Sequence, residues 1–220
     1  CIRDRTCGFA IKVVEDEING VSDNPVVLTR NKKILSGGNF HGEYLSQASD
    51  FLKIPLIKCG IASERRVAHL LSGKRGLQPF LIEGYGLNSG FMAYHYLIAS
   101  IINDCISRAF PASLINISTC NEQEDVVSMG PTAGFNLISI IENLRRAFAI
   151  ELMLAFQAIS LQPVTPTSYY LNYLKRCYFN PPLSKDSDLM SLSRKIENNL
   201  DKIEDACSRI LSRILKKEFK

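Results

Sequence analysis

Residues 135–161 read FNLISIIENLRRAFAIELMLAFQAISL, and this stretch decides the fold class. Its apolar side chains recur every three or four residues over roughly seven turns, the spacing that places them on one face of an α-helix. The residues on this face are Leu137, Ile141, Leu144, Phe148, Leu152, Ala155 and Ile159. Long helices with such a face pack into bundles. The stretch therefore predicts a helical bundle.

The same stretch carries apolar side chains outside that face. They are Ile138, Ile140, Ile150 and Leu154. A single chain is not expected to cover both sides of such a helix, so we expect oligomerisation through it. The charged residues Glu142, Arg145, Arg146 and Glu151 interrupt the stretch, which is therefore not a membrane span.

Apolar residues at helical spacing continue outward along the chain. They predict helices at residues 5–20, at residues 43–71, from Leu87 to near Phe110, and from Ser187-Asp188 to Lys216-Lys217. Pro55 lies inside the second of these and should kink it. The runs Val26–Leu28 and Lys33–Leu35 flank a polar linker and predict a short hairpin. The expected fold class is all-α, a long-helix bundle with one short β-hairpin near the N-terminus.

The composition changes after Gln162-Pro163, where prolines and four tyrosines follow closely. We therefore expect residues 1–162 to form the helical bundle and residues 163–220 a C-terminal helical tail. The tyrosines are interpreted as packing residues, because basic side chains are not interleaved with them as a nucleic-acid groove requires.

The chain has 220 residues, 46% of them hydrophobic, which is enough for a sizeable core. Its net charge of +4 is spread along the sequence, so we expect no nucleic-acid partner. Seven cysteines without a CxxC pair indicate reduced thiols and a cytoplasmic location. The first residue is Cys rather than Met, inside an expected helix, so we expect a fragment, a processed product or part of a longer protein.

Neither metal chemistry nor a serine nucleophile is indicated by the motifs. His41, His69 and His95 are far apart in the sequence, and there is no HExxH. A GxSxG nucleophile elbow is also absent. We expect no metal site.

Two polar islands interrupt the apolar helices. The first is GGNFHG at residues 37–42, and the second is EQEDVVSMGP at residues 122–131. Glycines let a backbone approach a ligand, although a tight turn with a capping Asn39 explains the first island equally well. Desolvation before a long apolar helix could raise the pKa of Glu124 and suit it to proton exchange or to binding a cation. The residues alone favour a simpler interpretation of the second island, as acidic residues at a helix N-terminus.

Five motifs that follow one another along the sequence favour a functional interpretation of the two islands. They are NGVSDNP at 19–25, SGGNFHGE at 36–43, SERR at 63–66, NSGFM at 88–92 and QEDVVSMG at 123–130. Together they resemble the C-terminal half of the aromatic amino acid lyases, and Glu43 and Glu124 resemble the histidine branch most. The resemblance covers residues 1 to about 162.

The resemblance implies a reaction and a site. Members of this family eliminate ammonia from an aromatic amino acid, and the histidine branch converts L-histidine to urocanate. They use an electrophilic methylidene-imidazolone formed from an internal Ala-Ser-Gly. By resemblance Glu124 is the catalytic residue, Phe40 faces the electrophile, and Asn39 and Gln123 bind substrate. The family also implies a homotetramer whose active sites lie between subunits.

This sequence departs from the family pattern. It has no Ala-Ser-Gly triplet and no QDxYSxR segment, so we expect the electrophile to come from a missing N-terminal half. Residues 121–126 read NEQEDV where the histidine branch usually has ANQEDH, and Pro55 lies in a helix that is normally uninterrupted. These differences leave tyrosine or phenylalanine ammonia-lyase and aminomutase activity as alternatives. A non-catalytic helical assembly protein is a further alternative. We expect the isolated chain to be inactive.

Overall fold

The computed structural model describes residues 2–162, 183–186, 189–206 and 208. It confirms the all-α prediction, since long helices dominate and the strands of the described part form one small sheet. The helices are α1 (Ile2–Asn19), α2 (Glu43–Leu71), α3 (Met92–Ser107), α4 (Gly130–Leu161) and α5 (Leu189–Glu197), with residues 200–206 also helical. None of the described helices combines the length and apolarity needed to cross a bilayer.

The predicted hairpin is confirmed residue by residue. Strand β1 (Val26–Leu28) pairs antiparallel with β2 (Lys33–Leu35), and Val27 lies opposite Ile34. A 3₁₀ turn at Thr29–Asn31 joins them, and Lys32 closes it with a left-handed φ of 49°. The polar linker therefore forms the turn, as its composition predicted.

Helices α2 and α3 can be compared directly with their predicted bounds. Helix α2 has the predicted limits and continues through Pro55. Helix α3 begins at Met92 instead of near Leu87, because a glycine-rich loop with positive φ at Gly84, Gly86 and Gly90 precedes it. The four tyrosines of the tail and its last prolines lie outside the described residues. The predicted boundary after residue 162 stays a prediction.

Two compact units are distinguished by their internal contacts. The first comprises Cys1–Cys59 and Asn103–Glu142, and the second comprises Gly60–Ile102 and Asn143–Lys220. In the first unit the core includes Ala10, Ala48, Ile57, Cys105, Ala112, Ala133 and Ile140. In the second it includes Val67, Leu81, Ile82, Phe91, Ile98, Met153, Leu154 and Phe156. Both polar islands belong to the first unit.

Helix α4 buries apolar side chains both on the predicted face and outside it. Ile140, Ile150 and Leu154, which lie outside that face, are at most 3% exposed. Of the face itself, Leu144 is 3% exposed, whereas Ile141 and Phe148 are 42% and 36% exposed. Periodicity alone does not say which side of a helix that is apolar on more than one side meets the core. Ile138, also outside the predicted face, is exposed.

In the second unit, residues 183–186 are fixed by side-chain hydrogen bonds. The buried Gln157 amide donates to the Leu81 and Leu183 carbonyls at 3.0 and 2.8 Å and accepts from the Leu183 amide at 3.1 Å. The Asp186 carboxylate accepts hydrogen bonds from the amides of Ser89 and Gly90 at 3.0 and 2.8 Å. These backbone donors lower the pKa of Asp186. The glycine-rich loop before α3 therefore has a defined partner.

Candidate functional site

The first island lies between the hairpin and α2 and is held in place by its polar neighbours. The Gly37 amide donates to Asn24 Oδ1 at 3.2 Å, and Asn39 Nδ2 donates to Glu17 Oε1 at 3.2 Å. Gly42 has a φ of 70°, which a glycine adopts readily, and α2 begins at the next residue, Glu43. The island is thus a built loop with contacts to α1 and to the turn before β1.

Phe40 lies at the surface of this loop. Its side chain is 43% exposed, and its ring centroid lies 4.5 Å from that of His41. Exposure of so large an apolar side chain costs hydrophobic free energy unless something covers it. The chain by itself leaves part of this side chain available to a ligand or a partner.

A pair of serines joins the two islands. Ser128 Oγ donates to the His41 carbonyl oxygen at 2.5 Å, and Ser46 Oγ donates to the Ser128 carbonyl oxygen at 2.5 Å. Ser46 is fully buried and Ser128 is 8% exposed, so both bonds are shielded from water. We call these two hydrogen bonds the serine junction. His41 directly follows Phe40 in the sequence, and Ser128 lies four residues after Glu124. Sequence reasoning did not identify Ser46, although Ser128 lies within the second island.

Glu124 ends a short loop closed by its own backbone. The Thr119 amide donates to the Glu124 carbonyl at 2.9 Å, and the Glu124 amide donates to the Thr119 carbonyl at 3.2 Å. Between them Cys120, Asn121 and Glu122 have left-handed φ values of 51°, 57° and 68°. Non-glycine residues in this region each cost of order 1–3 kcal/mol and concentrate at functional sites. The backbone geometry marks this loop as a candidate site independently of its motif.

Side chains fix the orientation of the Glu124 loop. Thr119 Oγ1 donates to Glu124 Oε2 at 2.9 Å. Asn116 holds the following residues from both sides, since its Nδ2 donates to the Asp125 carbonyl at 2.6 Å and its Oδ1 accepts from the Val127 amide at 3.0 Å. Sequence reasoning missed Thr119 and Asn116. Their signal was the group of polar residues Asn116, Ser118 and Thr119, which lie five to eight positions before the glutamate.

The predicted site residues can now be placed. Glu124 is half-buried at the end of its loop. Gln123 is exposed beside it, and its backbone amide donates to the Cys120 carbonyl at 3.2 Å. Asn39 is engaged by Glu17 on the other loop. The serine junction brings the two loops together, and the roles of the four residues stay predictions.

A buried ion pair supports the segment that leads into the Glu124 loop. Lys53 is fully buried and Asp50 is 7% exposed. Lys53 Nζ donates to Asp50 Oδ1 at 2.5 Å, and Asp50 Oδ2 accepts from the Ser113 amide at 2.8 Å. Burial by itself would raise the pKa of Asp50, but the hydrogen bonds from Lys53 and Ser113 outweigh it and the pKa is lowered.

Metal ligation has no cluster to support it in the described part of the chain. No group of three or more His, Cys, Asp or Glu side chains there is arranged to hold an ion. What the loops offer is a carboxylate with a fixed orientation, an exposed aromatic ring and neighbouring amides. Such a set suits recognition of a small cationic, aromatic molecule.

Comparison with known proteins agrees with this description. A family model described as aromatic amino acid lyase matches residues 3–176. Histidine ammonia-lyase of Streptococcus gordonii is 46% identical over 151 residues, which are 68% of this chain and 29% of that protein. Histidine ammonia-lyase of Pseudoalteromonas atlantica is 38% identical over 208 residues, 87% of this chain and 41% of that protein.

The fold comparison points the same way. The crystal structure of histidine ammonia-lyase from Trypanosoma cruzi superposes with a TM-score of 0.88 at 33% identity, covering 94% of this chain and 42% of that one. The long helices and the joined polar loops thus define a mostly helical protein with the fold of this lyase. The chain belongs to the aromatic amino acid lyase family. It spans 29% to 41% of the length of the two curated relatives described above.

Proposed function

We propose that this chain forms the C-terminal portion of a histidine ammonia-lyase and contributes Glu124 and Phe40 to an active site completed by another segment. One observation carries the proposal. The hydrogen bond from Ser128 to the His41 carbonyl joins the loops that bear these two residues, which are 84 positions apart in the sequence. The relatives named histidine ammonia-lyase supply the choice of substrate.

In this proposal the side chains have separate tasks. Glu124 accepts a proton from the substrate or binds one of its positively charged groups, because its carboxylate is held in a fixed orientation by Thr119. Phe40 packs against a planar ring. Asn39 and Gln123 hydrogen-bond to polar groups of the substrate, and the Glu17 contact of Asn39 fixes the direction of its amide.

The methylidene-imidazolone would come from outside these 220 residues, since they contain no Ala-Ser-Gly. When present, this electrophile activates the substrate amino group as a leaving group. The residues of the chain fit it, because Phe40 is 43% exposed and Glu124 is only half-buried. The donor is a complementary N-terminal half or a longer form of this protein, assembled as a homotetramer. The cysteine pattern supports a cytoplasmic location.

The rate acceleration that one glutamate can supply is too small for catalysis by the isolated chain. A glutamate acting as general acid or base contributes about 10²–10⁴-fold. Enzymes typically accelerate reactions by ~10⁶-fold or more. Glu124 alone would have to remove a weakly acidic proton while an unactivated amine departs. We therefore expect no deamination of histidine by the purified 220-residue polypeptide.

The test is co-expression with a complementary N-terminal half that carries Ala-Ser-Gly. The complex should convert histidine to urocanate, followed by ultraviolet absorbance, and Glu124→Ala should reduce this rate by about 100-fold or more. Thr29→Val, an exposed change in the hairpin turn, is the control. Urocanate formation by the isolated chain, or a fully active Glu124→Ala complex, would overturn the proposal. Running tyrosine and phenylalanine in parallel decides between histidine and the alternative substrates.

A second candidate is a non-catalytic assembly protein of the same family. The observation in its favour is the exposed apolar side of α4 in the first unit, where Phe135, Ile138 and Ile141 are 69%, 54% and 42% exposed. A complex with the N-terminal half that assembles but produces no urocanate, cinnamate or coumarate would favour this alternative.

A further inference from the structure

The two oxygens of the Glu124 carboxylate have different surroundings. Oε2 accepts the hydroxyl of Thr119 at 2.9 Å. Within the described part of the chain, Oε1 receives no hydrogen bond. A carboxylate held at one oxygen cannot rotate freely, so its second oxygen keeps a defined direction.

The Thr119 hydroxyl is not needed to close the loop. The two backbone hydrogen bonds between Thr119 and Glu124 already do so, and Ser118 Oγ adds a third bond to the Glu124 carbonyl at 3.3 Å. Asn116 fixes the residues that follow. The hydroxyl of Thr119 therefore acts on the side chain of Glu124 while other groups hold its backbone.

Threonine suits this task. Its branched Cβ restricts χ1, so the hydroxyl loses little freedom when it binds the carboxylate. A hydrogen bond to a charged acceptor is also stronger than one between neutral groups. The left-handed run at Cys120, Asn121 and Glu122 makes the loop tight enough for residues 119 and 124 to face each other.

We propose that Thr119 is a positioning residue for Glu124: it holds Oε2 so that Oε1 is the atom that binds the substrate's cationic group or takes its proton. This inference rests on the proposed function. When the proton is transferred it resides on Oε1, and the Thr119 hydroxyl continues to donate to Oε2. The substrate class is an amino acid with a protonated or acidic group directed at Oε1.

The kinetic test uses the complex of the full chain with its N-terminal half. Thr119→Val should lower kcat by roughly 10- to 100-fold, the effect of losing one hydrogen bond to a charged group, whereas KM changes less. Thr119→Ser keeps the donor and should retain most of the activity. Thr29→Val matches the chemistry of the first substitution at an exposed position in the hairpin and should behave as the unmodified chain.

A double-substitution cycle separates positioning from general stabilisation. If Thr119 acts through Glu124, then Thr119→Val should cost nothing further in a Glu124→Gln background. Independent, multiplicative losses would overturn the inference while leaving the role of Glu124 intact. An unaffected Glu124→Gln complex would instead overturn the proposed function.

A second measurement needs no activity and uses the purified chain. The ¹³C resonance of the Glu124 carboxyl carbon, assigned by its loss in Glu124→Gln, should shift in Thr119→Val and stay in place in Thr119→Ser and Thr29→Val. If the chemical shift of this resonance is the same in Thr119→Val as in the unmodified chain, the contact does not orient the carboxylate. This measurement tests the hydrogen bond between Thr119 and Glu124 even if the complex proves inactive.

Discussion

At the scale of single residues, Lys53 is the least expected feature of the chain. Its side chain is fully buried, although lysine is among the residues least often found inside proteins. Asp50 and the Phe110 carbonyl, at 2.5 and 3.5 Å, compensate its charge. The alternation of polar and apolar residues in α2 did not identify this pair as buried, because burial depends on what packs over the helix.

Removing Lys53 alone should be costly. Lys53→Met leaves the Asp50 carboxylate buried without its counter-ion, and such losses typically cost about 3–5 kcal/mol of unfolding free energy. Urea unfolding followed by circular dichroism measures the change. Arg108→Ala is the matched control, since it breaks the exposed pair with Asp104 and should cost at most about 1 kcal/mol. Equal effects of the two substitutions would contradict the assigned burial.

Asp50 should also make stability depend on pH. Its pKa is lowered in the folded chain, so its contribution is fully present above the unfolded value near 3.8 and is lost as pH falls through the folded value. Asp50→Asn should therefore destabilise the chain most at neutral pH, and its difference from the unmodified chain should shrink below about pH 4. Unfolding free energies from urea titrations at pH 7 and pH 3 test this. A difference that grows on acidification would reverse the sign of the argument.

At the scale of elements, the loop before α3 depends on Gly90. A Cβ there would lie 2.7 Å from the Phe80 carbonyl oxygen and 2.6 Å from Ile82 Cγ2, and the φ of 55° disfavours other residues. The Gly90 amide also binds Asp186, so strain here affects two segments of the second unit.

Gly90→Ala is expected to destabilise the chain by at least ~1–3 kcal/mol, because overpacking and an unfavourable φ add. Gly8→Ala is the control within α1. A Cβ at Gly8 meets nothing within 4 Å, and alanine favours a helix interior by about 0.5–1 kcal/mol. The midpoint temperature of thermal unfolding should fall in Gly90→Ala and rise in Gly8→Ala. A Gly90→Ala protein as stable as Gly8→Ala would contradict the loop conformation.

At the scale of the whole molecule, an exposed apolar surface on α4 predicts assembly with another chain. Phe135, Ile138 and Ile141 expose three large apolar side chains at three-residue spacing on α4. Monomeric soluble proteins rarely leave a contiguous apolar patch of this kind uncovered. We expect the side chains to be buried against another copy of the chain or against its N-terminal half.

Ile138→Glu should shift the chain toward smaller species, because burying an unpaired carboxylate in an interface is strongly unfavourable. Sedimentation velocity at micromolar concentration is the measurement. Leu87→Glu is the control, since Leu87 is 95% exposed in a loop of the second unit and should leave the distribution unchanged. A well-folded monomer before any substitution would contradict the expectation of oligomerisation.

The sequence by itself determined the helices, the two strands of the hairpin and the family. These depend on local spacing, on glycine and proline, and on motif order, all of which act within one segment of chain. It also singled out Phe40 and Glu124. Only the tertiary structure decided that Ser128 binds the His41 carbonyl, that Thr119 holds one oxygen of Glu124, and which side of α4 is buried. Periodicity describes a face, whereas burial and hydrogen bonding depend on which other segments fold against it.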